Sequence, residues 1–248
     1  MGKSRKKNNR RVQGGVVKMK LSILMPVYNE IKTIVDVIKL VRNINADKEI
    51  ILVDDCSNDG TKELLKEKFG DGSDDIRVVY HQQNKGKGAA ICTAIEHAKG
   101  EFIVVQDADM EYSPQDIERL LSLAESKNLD AVYGSRFLKS WKCTSFPHYL
   151  VNKTLTVLTN ILFGGNLTDM ETCYKLVKRD VMISLEIKAA RFDFEPEITS
   201  KLLNRGIKIV EIPVSYRGRS YDEGKKIGWL DGVEAVFTLI KLKIKLSK

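Results

Sequence analysis

Three short acidic clusters are the residues of this chain best suited to chemistry. They are Pro26-Val27-Tyr28-Asn29-Glu30, Asp54-Asp55-Cys56-Ser57-Asn58-Asp59-Gly60 and Asp107-Ala108-Asp109-Met110-Glu111. One Asp-x-Asp triplet among 33 acidic residues is a weak signal, and Asp54 through Gly60 also reads as a polar turn. Three clusters in series, each closing its own apolar run, say more. Carboxylates gathered in one place repel each other unless a cation or a hydrogen-bonded ligand sits among them. Oxygen donors of this kind suit a divalent cation carrying a diphosphate, with the metal as Lewis acid toward a departing phosphate.

Such convergence needs strands that deliver the clusters to a common rim. Short apolar runs predict strands at 21–26, 50–54, 77–80, 102–106 and 131–134. Between them, helical patterns cover about 31–44, 61–69, 88–98 and 114–127, with Asp59-Gly60-Thr61 and Ser113-Pro114 as helix starts. Runs as continuously apolar as Ile50-Ile51-Leu52-Val53 and Phe102-Ile103-Val104-Val105 fit a parallel sheet covered on both faces. In an open α/β sheet, ligands bind outside the carboxyl ends of the strands, where all three clusters fall. After Gly134 the pattern changes to a helix at 148–163, a strand at 172–177, a helix at 195–204 and a strand at 207–214. Residues 229 to about 245 place Trp229, Val233, Val236, Phe237, Ile240 and Ile244 on one face of a terminal helix.

Charge is unevenly spread over the 248 residues. The net charge is +8, yet residues 1–20 hold eight Lys/Arg and 241–248 hold four more, with no acid in either stretch. The remaining body has 29 bases against 33 acids, which argues against a nucleic-acid binder gripping along a basic face. Two basic ends on an acidic body suit an anionic membrane surface, where each cation contributes about 1 kcal/mol. A solvated arm without a partner explains the N-terminal stretch as well. No run approaches the roughly 18 apolar residues of a membrane span, and no signal peptide is evident. Cys56, Cys92, Cys143 and Cys173 lie far apart, which fits free thiols in a reducing compartment.

The clusters, together with Asn84-Lys85-Gly86-Lys87-Gly88-Ala89-Ala90, make the chain resemble a family 2 glycosyltransferase, and within it the dolichyl-phosphate mannose and glucose synthase branch. Further matches are Tyr133 through Phe137, Leu167 through Lys175, Phe194 through Ile198 and Gly218 through Lys226, so the similarity runs collinearly over about 20–235. The resemblance implies a GT-A fold, the α/β architecture of nucleotide-diphospho-sugar transferases, with a mostly parallel central sheet and helices on both faces. It divides the chain into a basic tail at 1–19, a catalytic domain at 20–228 and an amphipathic basic helix at 229–248. Within the catalytic domain, the donor half is about 20–135 and the acceptor half about 136–228.

The implied activity is inverting transfer of a hexose from a GDP-mannose or UDP-glucose type donor to a polyprenyl or dolichyl phosphate. It would occur at the cytoplasmic membrane face, with Mg²⁺ or Mn²⁺ as cofactor. By position, Pro26, Tyr28, Glu30, Val53 and Asp55 would form the nucleoside pocket, and Asp107 and Ala108 would meet the ribose and sugar. Asp109 would hold the metal with Glu111 as second ligand, and Arg136 would fork onto a phosphate. Arg219 and Lys225 would close a mobile loop over the diphosphate. Asp107, Asp109 and Arg136 are thus the expected catalytic set.

On the acceptor side, candidate cations are Arg136, His148, Lys153 and Lys175. Glu195 and Glu197 fit a base, an acceptor site or acids favouring a helix N-terminus, and the three readings stay open. A phosphate acceptor is already nucleophilic and needs no base. Expected partners are the nucleotide sugar, the lipid phosphate and an anionic membrane surface, with room for a membrane-embedded partner subunit or downstream transferase. Attachment would be peripheral, through the 229–248 helix and the basic ends; a helix packed on the protein body explains the same periodicity, and both readings stay open. Rival readings are extension of a cell-envelope or soluble saccharide, and a non-catalytic nucleotide-sugar-binding module.

Overall fold

The computed structural model describes residues 19–70, 72–139, 144–219 and 229–246. The expected basic tail, apart from Met19, lies outside the described residues, as do Cys143 and Lys225.

Eight strands form one sheet in the order β3-β4-β2-β1-β5-β7-β6-β8. They are β1 (Leu21–Val27), β2 (Lys48–Asp54), β3 (Gly72–Ser73), β4 (Ile76–Tyr80), β5 (Phe102–Val105), β6 (Ala131–Ser135), β7 (Lys175–Lys178) and β8 (Ile209–Pro213). β4, β2, β1 and β5 run parallel in sequence-separated neighbours. β7 is antiparallel to both β5 and β6, and β8 is parallel to β6. The carboxyl ends of β1, β2, β4, β5, β6 and β8 therefore share one edge of the sheet. β7 starts at that same edge, so the segments after β1, β2, β4, β5, β6 and β8 and the loop before β7 meet there.

The helices are α1 (Ile34–Arg42), α2 (Thr61–Phe69), α3 (Lys87–His97), α4 (Asp116–Ser126), α5 (Phe146–Phe163), α6 (Arg179–Ser184), α7 (Phe194–Asn204) and α8 (Trp229–Leu246). The central strands are buried throughout, as their unbroken Val/Ile/Leu runs predict for a sheet sandwiched between helical layers. A second, smaller core joins Leu155 and Phe163 of α5 to Ala235, Leu239 and Leu242 of α8.

Several boundaries differ from the sequence reading. α1 starts at Ile34 rather than about 31, because Glu30 carbonyl accepts from Thr33 and Ile34 amides in a preceding turn. α4 starts at Asp116, so Pro114 lies before the helix and not at its first position. β7 starts at Lys175 instead of 172, since the Thr172 hydroxyl is bonded to Gly134 carbonyl and holds a loop against β6. Neither the two-residue β3 nor the single-turn α6 was legible, both being too short to show a period.

Candidate active site

Each acidic cluster leaves its strand through a residue with a positive backbone angle that is not glycine: Asn29 (φ 54), Cys56 (φ 62) and Met110 (φ 64). Left-handed conformations cost such residues roughly 1–2 kcal/mol apiece. They persist here because the side chains around them interlock. Asn29 amide donates to Ser57 Oγ and Asn58 amide donates to Asn29 Oδ1, tying the first cluster to the second. Glu30 amide donates to Thr61 Oγ1. The strain is concentrated where the three polar loops meet, and it holds them in one arrangement.

Asp55 is buried just past the end of β2, where its amide donates to Val27 carbonyl; two residues earlier Val53 pairs with Pro26 across the ladder. Its Oδ1 accepts from His81 Nδ1 at 2.7 Å and Lys85 amide at 2.9 Å, and Oδ2 accepts from Gly86 amide at 2.7 Å. A carboxylate only accepts, so His81 Nδ1 donates to Asp55, and Nε2 pairs with Thr93 Oγ1 at 3.0 Å. Of the roughly four lone-pair directions of the carboxylate, three are used, leaving about one open. Gly86 (φ +95) and Gly88 allow α3 to start against the chain at 189–191. A Cβ on Gly88 would stand 2.8 Å from Ala189 backbone atoms, and one on Gly86 would collide with Ala190 carbonyl.

That close approach brings in a residue the sequence reading passed over. Lys87 Nζ lies 3.0 Å from Asp107 Oδ1 and 3.0 Å from Glu195 Oε1. Burial opposes its charge, but Asp107 and Glu195 outweigh that and hold the ammonium well above its ordinary pKa. Lys87 thus ties the donor-side Asp107 to the acceptor-side Glu195, 108 positions away.

Beyond Asp107, Asp109 is half-buried, and its carboxyl is pushed up to about 7 by desolvation first and then by Asp107 and Glu111. Arg219 supplies the counter-charge. Its guanidinium meets Asp109 Oδ2 at 2.8 Å, Glu30 Oε1 at 3.3 Å and Glu111 Oε1 at 3.5 Å. Glu111 also accepts from Tyr216 hydroxyl at 2.7 Å and Arg219 amide at 2.8 Å. The third cluster is thereby clamped to the chain after β8, with Tyr112 bridging to Tyr216. Asp109 and Glu111 present the hard oxygen donors that a divalent cation takes. Among the described residues no group of three or more His, Cys, Asp or Glu forms a complete metal cage, so any cation here needs oxygens from a ligand as well.

Arg136 lies at the same rim, in a different role from the open phosphate fork expected of it. Nε and Nη2 bind both oxygens of the fully buried Asp169 at 2.7 Å each, and Nη2 reaches Asn152 Oδ1 at 3.2 Å. The guanidinium also lies over Phe137 and Tyr216. Asp169 falls in the motif at 167–175, but nothing along the chain assigned it a role; in the fold it orients Arg136. Tyr28 and Ala108 follow strand ends at this edge, with Ala108 buried and Tyr28 half-buried.

The acceptor-side candidates separate. Lys175 is fully buried, donates to Met170 and Thr172 carbonyls and stacks on Tyr133. This corrects its reading as an acceptor cation, because the ammonium is consumed inside the protein. Glu197 accepts Lys188 amide through both oxygens and pairs with Lys201 at 2.6 Å, so it braces the start of α7 and stands apart from Glu195. His148 contacts Ser145 Oγ at the start of α5, and Lys153 is half-buried on α5 beside Asn152.

With this geometry in view, the sequence comparison decides the family. A profile described as Glycosyl transferase family 2 matches residues 22–185. The chain belongs to glycosyl transferase family 2. It is 25% identical over 214 residues to a polyprenol monophosphomannose synthase of Mycolicibacterium smegmatis, covering 83% of this chain and 80% of that one. It is 25% identical over 231 residues to an undecaprenyl-phosphate mannosyltransferase of Micrococcus luteus, covering 90% and 93%. A dolichol-phosphate mannosyltransferase of Pyrococcus furiosus is 27% identical over 240 residues, 93% of this chain and 66% of that longer one. Among solved structures, glucosyl-3-phosphoglycerate synthase of Mycobacterium tuberculosis, in complex with Mn²⁺, UDP and phosphoglyceric acid, superposes with a TM-score of 0.67 at 19% identity. That match covers 91% of this chain and 78% of that one. The architecture is GT-A-like, and the protein is a glycosyltransferase.

Proposed function

We propose that this glycosyltransferase moves a hexose, with inversion, from a nucleotide-diphospho-sugar of the GDP-mannose or UDP-glucose type to a polyprenyl phosphate at a membrane surface. Support for the acceptor comes from the names of its relatives and from one structural observation. Both carboxylates for which a base is one of the open readings are paired with cations, Glu195 with Lys87 and Glu197 with Lys201. A cation-paired carboxylate is a poor proton acceptor, whereas a lipid phosphate is ionised near neutral pH and attacks without one.

In this reading Asp109 is the principal ligand of Mg²⁺ or Mn²⁺ and Glu111 the second. Asp109 fits the role: burial and its acidic neighbours leave its charge costly until a cation arrives, and Arg219 is the cation that meets it in the protein alone. The bound metal serves as a Lewis acid on the departing nucleoside diphosphate. Pro26, Tyr28, Glu30, Val53 and Asp55 line the nucleoside side, with Asp55 offering its remaining lone pair. Lys87 orients Asp107 and adds positive charge beside the diphosphate. Arg136, fixed by Asp169, faces the incoming phosphate, and Arg219 with Lys225 belongs to the segment that closes over the donor. The donor half at about 20–135 and the acceptor half at about 136–228 meet between these two sets.

Membrane association is supported by α5 and α8. Each packs inward through the smaller core, yet each also presents an apolar row outward. Phe146, Leu150, Val157 and Ile161 are exposed on α5, and Phe237, Ile240 and Ile244 on α8. At 3.6 residues per turn each row occupies one helix face. Lys241 and Lys245 lie beside the second row. Among the described residues no helix is long and apolar enough to cross a membrane, so the fitting arrangement is two helices lying in the interface.

The test is incubation of the full chain with radiolabelled GDP-mannose or UDP-glucose, Mn²⁺ and a polyprenyl phosphate, followed by organic extraction. Metal-dependent label in the lipid phase is expected from one donor. Label transferred to a saccharide, with none in lipid, would replace this proposal with the saccharide-extending reading.

A further inference from the structure

The loop from Thr168 to Tyr174 is tied down at almost every polar atom. Thr168 amide and hydroxyl donate to Glu211, Asp169 grips Arg136, and Met170 amide donates to Thr156. Met170 and Thr172 carbonyls hold the Lys175 ammonium, and Cys173 amide donates to Tyr112 hydroxyl. Glu171 stands out in this rigid frame. Its Oε1 is shut off from solvent, yet no donor among the described residues reaches it. A buried carboxylate oxygen without a donor is uncommon and costly, and it asks for a partner from elsewhere.

The surroundings say which partner. The groups that act electrostatically on Glu171 are Glu195, Lys175, Arg136 and Asp169. Lys175 and Arg136 favour its charge from a distance, but Lys175 donates to backbone carbonyls and Arg136 to Asp169, and Glu171 Oε1 receives no hydrogen bond from either. Glu195 belongs to the Lys87–Asp107 bridge. Glu171 therefore lies within electrostatic reach both of Glu195, which belongs to the Lys87 bridge, and of the Arg136–Asp169 pair, and it is half-buried rather than sealed in the core. In the function proposed above, on which this inference rests, the transferred hexose lies beside these groups. A hexose brings hydroxyl donors and no charge, which is what an acceptor oxygen beside other carboxylates requires. A second anion would be repelled.

We propose that Glu171 is a sugar-recognition residue, its carboxylate accepting a hydrogen bond from one hydroxyl of the hexose on the nucleotide donor. Burial and Glu195 together push the Glu171 carboxyl up to about 7. A hydroxyl bonded to the ionised form stabilises it, so donor binding and ionisation of Glu171 support each other.

The experiment is a cycle between protein and substrate. Full-length wild type and Glu171→Ala are assayed with polyprenyl phosphate, Mn²⁺ and whichever of GDP-mannose and UDP-glucose is turned over, alongside its 2-, 3-, 4- and 6-deoxy forms. Wild type is expected to lose about 10- to 100-fold in kcat/KM with one deoxy donor. Glu171→Ala should lose a similar factor with the intact donor and show almost no further loss with that same deoxy donor. Glu171→Gln, which keeps the side-chain shape, should give the same pattern at smaller size, and it replaces the alanine variant should that one not fold. Losses that multiply at every hydroxyl overturn the assignment, as does a uniform loss with all donors, which a general base would give. A wild type inactive with both parent donors overturns the functional reading and this inference together, so the two failures are distinguishable.

Discussion

Replacing Arg219 by Met removes the cation that three carboxylates share while keeping much of the side-chain volume. In the structure its guanidinium lies 2.8 Å from Asp109, 3.3 Å from Glu30 and 3.5 Å from Glu111, with the side chain 18% exposed. Two unit charges about 4 Å apart attract by about 4 kcal/mol at an effective dielectric near 20, before desolvation is counted. Removing one partner of a fully buried pair costs about 3–5 kcal/mol, and partial exposure here reduces that to about 2 kcal/mol. For a chain of this size the loss corresponds to about 4–8 °C in Tm. The expected signature lies in how metal changes it. Arg219 and a divalent cation compete for Asp109 and Glu111, so Arg219→Met should be destabilised without metal and should gain more from Mn²⁺ than wild type does. Saturation at about 100 times the Kd contributes about 2.7 kcal/mol, enough to offset the deficit. Scanning calorimetry of both proteins at 0 and 5 mM Mn²⁺ reads this directly. Equal Mn²⁺ shifts in the two proteins would refute the competition, and an Arg219→Met protein as stable as wild type without metal would refute the electrostatic argument behind it.

Three further outcomes are expected. Lys87→Met breaks the Asp107–Glu195 bridge and should lower kcat about 100-fold, with Lys87→Arg recovering part of it; an unchanged kcat contradicts the bridge. Glu171 gives a pH dependence of stability. Its folded carboxyl titrates at about 7 and its unfolded one at 4.5, so wild type loses stability as pH rises through that window. Glu171→Gln cannot titrate, and its advantage in urea unfolding should grow by about 1–3 kcal/mol between pH 4.5 and pH 8; a constant difference contradicts the buried carboxyl. Phe237→Ser combined with Ile161→Ser should weaken binding to anionic vesicles about tenfold and spare transfer to a short, soluble polyprenyl phosphate. Unaltered vesicle binding would remove α5 and α8 from the interface.

Much of the frame was legible because it is local. Continuous apolar runs at Ile50 to Val53 and Phe102 to Val105 can only be buried strands in a chain of alternating elements, and strand polarity then puts Asp55, Asp107 and Asp109 at one edge. Asp109 gathers there with Glu30, Glu111 and Arg219, while Asp107 pairs with Lys87 and Asp55 with His81. What escaped was pairing across long separations. Lys87 and Glu195 are 108 residues apart, and no pattern along the chain says that one lysine of Lys85-Gly86-Lys87 turns inward while the other supplies only its amide to Asp55. Arg136 was placed correctly at its strand end, but its guanidinium answers to Asp169, which only the folded loop brings beneath it. Lys175 was misread for the related reason that a charged residue is normally exposed. Here two carbonyls and the Tyr133 ring make burial tolerable.

The claim beneath all of this is that carboxylates gathered at one rim of the sheet hold a nucleoside diphosphate and its divalent cation, Asp55 after β2 on the nucleoside side and Asp109 with Glu111 after β5 on the cation. Electron paramagnetic resonance of Mn²⁺, titrated into the full chain with and without GDP or UDP, tests it without relying on turnover. The account predicts Mn²⁺ binding that one of the two nucleotides strengthens and that Asp109→Asn abolishes while far-ultraviolet circular dichroism stays unchanged. Mn²⁺ bound equally well by Asp109→Asn, or indifferent to both nucleotides, would contradict it.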